Sequence, residues 1–201
     1  MDILVLAALI ALGMHVVRSR YQARRVALLG SHLAQFQIEK LMEGLTQGYL
    51  RALGESDPER RTQIWNLLAS NEATLCGQFE RFAADFARVD AQETRVSKLP
   101  MALPYADRLF PAATFDLREA LQIHARGLAA VARNDSGRSP RDKAFMMSAE
   151  LFLMQHTCHW FCKSRTVASA RMMARHQTSH AQLIAAVSPG TRQAYRALTG
   201  T

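Results

Sequence analysis

Residues 3–17 form a run of fifteen uncharged, mostly apolar residues, and Arg18, Arg20, Arg24 and Arg25 follow at once. This order restricts the fold more than any other feature of the chain. An apolar block closed by arginines is how a segment is written when its amino terminus crosses a membrane and the rest stays on the cytoplasmic side. At about 1.5 Å per residue the block covers roughly 22 Å, short of the roughly 30 Å of hydrocarbon in a bilayer. Snorkelling of Arg18 and Arg20, and Tyr21 at headgroup level, extend its reach. Two rivals compete with the anchor. One is a cleaved signal peptide with Ala11, Leu12 and Gly13 as a small-x-small site; the acidic Asp2 and the arginines after the site argue against export. The other is a buried first helix of a soluble cytoplasmic protein.

Behind the block, 49% hydrophobic residues and six prolines in 201 describe a folded chain long enough for one sizeable core. The sequence divides into an anchor with its basic flank, residues 1–23, and a single cytoplasmic domain, residues 24–201. Cys76, Cys158 and Cys162 are too few, and odd in number, for a disulfide framework, which suits a reducing compartment. The orientation expected is therefore single-pass in the inner (cytoplasmic) membrane, amino terminus out and body in the cytoplasm.

The domain reads as all-α, a bundle of about five helices behind the short anchor helix. Residues 24–89 form a helical hairpin. Its first helix, from residue 24 to about residue 53, carries Ala34, Ile38, Leu41, Leu45 and Tyr49 at helical spacing, and continuation of the anchor helix into the cytoplasm is one reading of its start. Asp57 and Pro58 start the second as N-cap and first-turn proline, with Ile64, Leu68, Leu75, Phe79, Phe82, Phe86 and Val89 on one face and Asn71 set among them. Residues 90–114 are a long connection in which Pro100, Pro104 and Pro111 alternate with Leu99, Met101, Leu103, Leu109 and Phe110; it packs across the bundle or offers a partner groove. In residues 115–201 a third helix follows Thr114 as N-cap and puts Leu117, Leu121, His124, Leu128 and Val131 on one face. Pro140 opens a fourth, apolar nearly all round from Leu151 to Cys162 and so central. A fifth spans about 165–187, and a short one about 191–198 closes the chain. No strand-like alternation is present.

Chemistry is sparse. His156, Cys158, His159 and Cys162 fall within seven residues, and His176 and His180 repeat the one-turn spacing of the two cysteines. Side chains four apart share a helix face, which a tetrahedral zinc or soft-metal site uses. Paired Cys-x-x-Cys knuckles, the Cys-x-x-Cys-His order of haem attachment and di-iron Glu-x-x-His pairs are all missing, so core histidines and cysteines are the simpler reading and no cofactor is expected, zinc or haem being the weak alternative. Ser31 with His32 and Ser179 with His180 are neighbours pointing in different directions, and there is no nucleophile elbow, phosphate loop or His-Glu-x-x-His. Glu119 and Glu150 lie near apolar stripes, where buried acids are one reading, but a capping or surface role is the stronger one. Nothing recommends an enzyme.

The formal net charge is +8, and after Glu150 no acidic residue occurs while Lys163, Arg165, Arg171, Arg175, Arg192 and Arg196 remain. Arg171 and Arg175 are the candidate basic surface, toward an anionic membrane or nucleic acid, though six charges over so long a stretch more often make a solvated face. The leading expectation is a membrane-anchored interaction or scaffold protein with an unknown protein partner. A metal- or haem-binding sensor and a binder of nucleic acid or anionic membrane through the carboxy-terminal region are the alternatives.

Overall fold

The computed structural model describes residues 3–100 and 104–201, so Asp2, Met101 and Leu103 of the readings above lie outside the described residues. The chain is an all-α bundle with one small antiparallel ribbon. The long first helix α1 (Ile3–Leu33) is followed by α2 (Ile38–Gly54) and α3 (Pro58–Phe86). Next come α4 (Ala91–Thr94), β1 (Arg95–Ser97), α5 (Ala106–Leu109), a single 3-10 turn at Pro111–Ala113, and β2 (Thr114–Asp116). The last part comprises α6 (Leu117–Arg133), α7 (Pro140–Cys162), α8 (Arg165–His176), α9 (His180–Ala186) and α10 (Pro189–Thr199).

Helix α7 stands at the centre, as its all-round apolar sequence requires. One side joins a core built with α2, α3 and α6, where Phe79, Phe82, Phe86, Leu121, Leu128 and Phe161 are fully or almost fully buried. The other meets α8, α9 and α10 through Leu153, Met172, Leu183, Val187 and Tyr195. Asp57 caps α3 as expected, its carboxylate accepting from the Glu59 and Arg60 amides. Gly127 of α6 lies against Thr191 and Glu150 so closely that a Cβ there would stand 2.6 Å from Glu150 Oε2; glycine is what permits α6, α7 and α10 to approach.

Several expectations need correction. The first hairpin helix does not run unbroken from residue 24 to 53: α1 ends at Leu33, and a short turn precedes α2. No glycine or proline causes this. Phe36 leaves the helical path to pack edge-on against Phe82, ring centroids 6.0 Å apart, and the Gln37 amide donates to Gln78 Oε1 at 2.7 Å. The hairpin is thus α2 with α3, and Ala34 is exposed. Buried polar Glu72, and not half-buried Asn71, faces the core from α3.

The connection is no featureless loop, since Val96 and Phe115 pair across β1 and β2 and bury on the same side. Three-residue strands are too short to show alternation in sequence. Thr114 belongs to β2, its hydroxyl donating to Pro111 O, and Asp116 caps α6. Finally, the expected fifth helix is two: Gln177 adopts a left-handed conformation (φ 51°) and Ser179 opens α9 with a capping box closed by Gln182.

Candidate functional site

Three places in this fold bear on function: the exposed half of α1, the histidine-rich interior around α7, and a groove between α2 and α7. The first begins as sequence. Residues 3–20 of α1 are all exposed, and none of the helix's apolar eighteen-residue window is buried in the body. The helix is long and apolar enough to cross a membrane. At about 1.5 Å per residue the exposed stretch measures roughly 27 Å, close to the hydrocarbon thickness once Arg18 and Arg20 are counted as snorkelling ends. Ten large apolar side chains, from Ile3 to Val17, stand exposed here. At about 1.5 kcal/mol each or more, leaving them in water forgoes on the order of 15 kcal/mol, as much as the whole stability of a typical domain. The reading of residues 3–17 as a core helix does not describe this fold.

Past Arg20 the helix becomes part of the body, and here the arginines separate. Arg24 is exposed and pairs with Glu93 at 2.5 Å. Arg25 is half-buried: its guanidinium donates to the carbonyls of Phe161, at 3.1 Å, and Arg95, and lies 4.5 Å over the Tyr21 ring and 4.9 Å over that of Phe161. Of the four arginines grouped as a membrane flank, Arg25 therefore serves as a clamp inside the protein. Lys163 Nζ donates to Gln22 Oε1 at 3.0 Å, and His32 meets Asp85 at 2.6 Å. Together these contacts fix the direction of α1 relative to α3 and α7.

The second place is the histidine and cysteine set, which the fold spreads over several surroundings. His156 and His180 do meet, their rings stacked at 3.9 Å with 12° between planes. His176 turns elsewhere and stacks on Phe152 at 4.0 Å. The one-turn spacing expected for His176 and His180 is lost, because α8 ends at the first and α9 begins at the second. Cys158 and Cys162 pack against the α2–α3 side of the core, and burial pushes their thiols up to about 12 and about 11. His159 opens instead to a hollow with Glu39, Glu43, Arg175 and His176. Among the described residues no group of three or more His, Cys, Asp or Glu side chains converges as a metal site would.

What the interior builds is a hydrogen-bonded chain. His124 Nε2 lies 2.9 Å from Thr157 Oγ1, which also donates to Leu153 O and lies 3.2 Å from Tyr195 Oη. Tyr195 Oη in turn is 3.4 Å from His180 Nε2, and His156 Nε2 is 3.0 Å from Ser169 Oγ. His124 Nδ1 has no partner, so the tautomer protonated at Nε2 is favoured, leaving only an acceptor unmet. Burial lowers His124 to about 3; burial first, then the neighbouring His180, lowers His156 to about 2; burial and Arg165 lower His180 to about 4. All three are neutral near pH 7. Of two buried acids, sequence reasoning missed Glu72 and ranked burial second for Glu150. Glu150, read as a surface or capping acid, is fully buried, accepts from the Ser188 amide at 3.0 Å and ties α7 to the start of α10; burial raises its carboxyl. Glu72 accepts from the Tyr49 hydroxyl at 2.6 Å and pairs with Lys143 at 2.5 Å.

The third place is a groove of about 760 Å³ between α2 and α7, whose lining includes buried Tyr49 and Ala144, exposed Leu50, Leu53 and Phe145, and polar Thr46, Ser139, Arg141 and Asp142. Leu50 is 73% and Phe145 69% exposed. Phe145 lies sixteen residues before Phe161 on α7, about 24 Å along the axis. Because Phe161 and Lys163 contact α1 at Arg25 and Gln22, the groove sits at the end of the body opposite the exposed helix. The basic pair Arg171 and Arg175 is exposed on α8. Compared with known proteins, the chain matches no family model, no curated protein and no solved structure.

Proposed function

We propose that this protein is a single-pass, membrane-anchored interaction protein, with α1 in the inner membrane, its amino terminus outside, and the helical body in the cytoplasm. The observation that carries the reading is the exposed apolar half of α1, whose other half is clamped into the body by Arg25, so that the body is held at the bilayer surface. Orientation follows from Arg18 and Arg20 on the body side of the apolar block. The three free cysteines suit the same compartment. No reaction is assigned.

The partner we favour is an amphipathic helix of another protein. Exposed Leu50, Leu53 and Phe145 beside polar Thr46, Ser139, Arg141 and Asp142 are what such a helix covers with its apolar face, and the groove lies at the end of the body away from the exposed half of α1. Extraction of native membranes tests the anchor. The full chain should resist salt and alkaline carbonate, and Leu9→Arg, which puts a charge costing about 3 kcal/mol at mid-span, should move it to the wash. Release of the unaltered chain by carbonate would defeat the reading.

A further inference from the structure

A second apolar surface lies where α1 leaves the body, on a different side from the groove. Leu109, 64% exposed, and Phe110, 50% exposed, end α5 and begin the 3-10 turn, and Tyr105 precedes them. Their place relative to α1 is set by Tyr105, whose ring lies 5.3 Å from that of Tyr21. Tyr21 stands four residues past Val17, about 6 Å beyond the apolar block, which is the depth of lipid headgroups when the block spans. Between the two segments is a hollow of about 230 Å³ lined by Tyr21, Tyr105 and the arginines Arg20, Arg24, Arg25 and Arg108, with Glu93, the acid among its lining residues, paired with Arg24. Arg108 lies 5.5 Å over the Tyr105 ring.

We infer that the segment 104–110 is a second membrane contact: Leu109 and Phe110 enter the outer acyl region of the leaflet facing the body, and the arginine hollow receives the phosphate of an anionic phospholipid. The inference rests on the reading that α1 spans the membrane. Three properties point to lipid and not to another protein. The apolar pair is continuous, through Tyr105 and Tyr21, with the point at which α1 meets the headgroups. Tyrosines at that level have the ring and hydroxyl that interfaces favour. The hollow's positive charge complements the phosphates of the cytoplasmic leaflet, where basic side chains near the surface are attracted. An anchor alone leaves the body free to tilt; a second contact fixes its rotation and turns the distal groove toward the cytoplasm.

The test uses the full chain in phosphatidylcholine vesicles containing phosphatidylglycerol, with Phe110→Trp as reporter and Phe145→Trp as the distal control. Lipids brominated near the headgroup end of the acyl chain quench a tryptophan that reaches them. The fluorescence added by Phe110→Trp should lose more than half its intensity, and that added by Phe145→Trp should be unchanged. Omitting phosphatidylglycerol should weaken the quenching, and Arg108→Gln should remove that dependence. Equal, negligible quenching of both variants in protein that still floats with the vesicles would overturn the inference while leaving the anchor in place. Protein that fails to float overturns the anchor and, with it, the second contact. Quenching at Phe110→Trp that persists undiminished without phosphatidylglycerol would overturn the phosphate hollow.

Discussion

His124, His156 and His180 carry much of what single residues contribute to this interior, and all three are kept neutral. In the unfolded chain each titrates near 6.5, so below that pH the unfolded state binds more protons than the folded one and stability falls as pH falls. Loss begins near pH 6.5 and continues toward the folded values of about 4, 3 and 2, at up to about 1.4 kcal/mol per pH unit for each histidine. Glu150 acts oppositely: its raised carboxyl favours the fold at low pH and loses that contribution as pH rises through the folded value. One acid does not offset three histidines. Thermal unfolding in detergent should therefore show a melting temperature that drops steadily from pH 6.5 to 4, with a shallower slope for His124→Gln. A melting temperature independent of pH over that range would contradict the assignment. His124 on its apolar helix face was legible in the sequence; Glu72 was not, because its partner Lys143 lies 71 positions away and no local pattern joins them.

Helix boundaries were legible where local chemistry sets them and obscure where tertiary contacts do. Asp57-Pro58 and Ser139-Pro140 announce α3 and α7 in sequence, and both hold. The Ser179 and Gln182 capping box also announces α9, but the sustained apolar spacing of 165–187 masks it. Nothing local marks the end of α1, which Phe36 sets by reaching Phe82. The metal-ligand spacing of His176 and His180 failed with that helix boundary, since i, i+4 has meaning only within one helix. Arg25 belongs to this scale too, as the residue that joins α1 to α7 and β1. Arg25→Ala removes two charge-assisted hydrogen bonds and two ring contacts and should lower stability by about 2 kcal/mol, read as a shift of the urea midpoint in detergent. Arg25→Lys should recover little, because a point charge cannot serve two carbonyls and two rings at once. An unchanged midpoint for Arg25→Ala would show that α1 is not held there.

At the scale of the molecule the chain has two parts, a body with its own core and an apolar helix half that stands outside it. Its body buries two contiguous apolar clusters on either side of α7. The first eighteen described residues of α1 bury nothing. The sequence carried this division openly, since an uncharged run followed by arginines differs in kind from the amphipathic stripes behind it. The body's orientation was not legible, because it depends on which arginine turns inward. The clamp at Arg25 and the hollow at Arg20, Arg24 and Arg108 lie at the end of the body from which the exposed half of α1 leaves, and the Leu50–Phe145 groove lies at the other.

Protease digestion of sealed inner-membrane vesicles, compared with intact spheroplasts, tests the central claim most directly. With the cytoplasmic face outward, the body should be cut away and a fragment holding residues 3–17 should remain in the membrane, while protease added to spheroplasts should leave the body whole. Digestion of the body in spheroplasts, or recovery of the entire chain in the soluble fraction before any protease is added, would contradict the account.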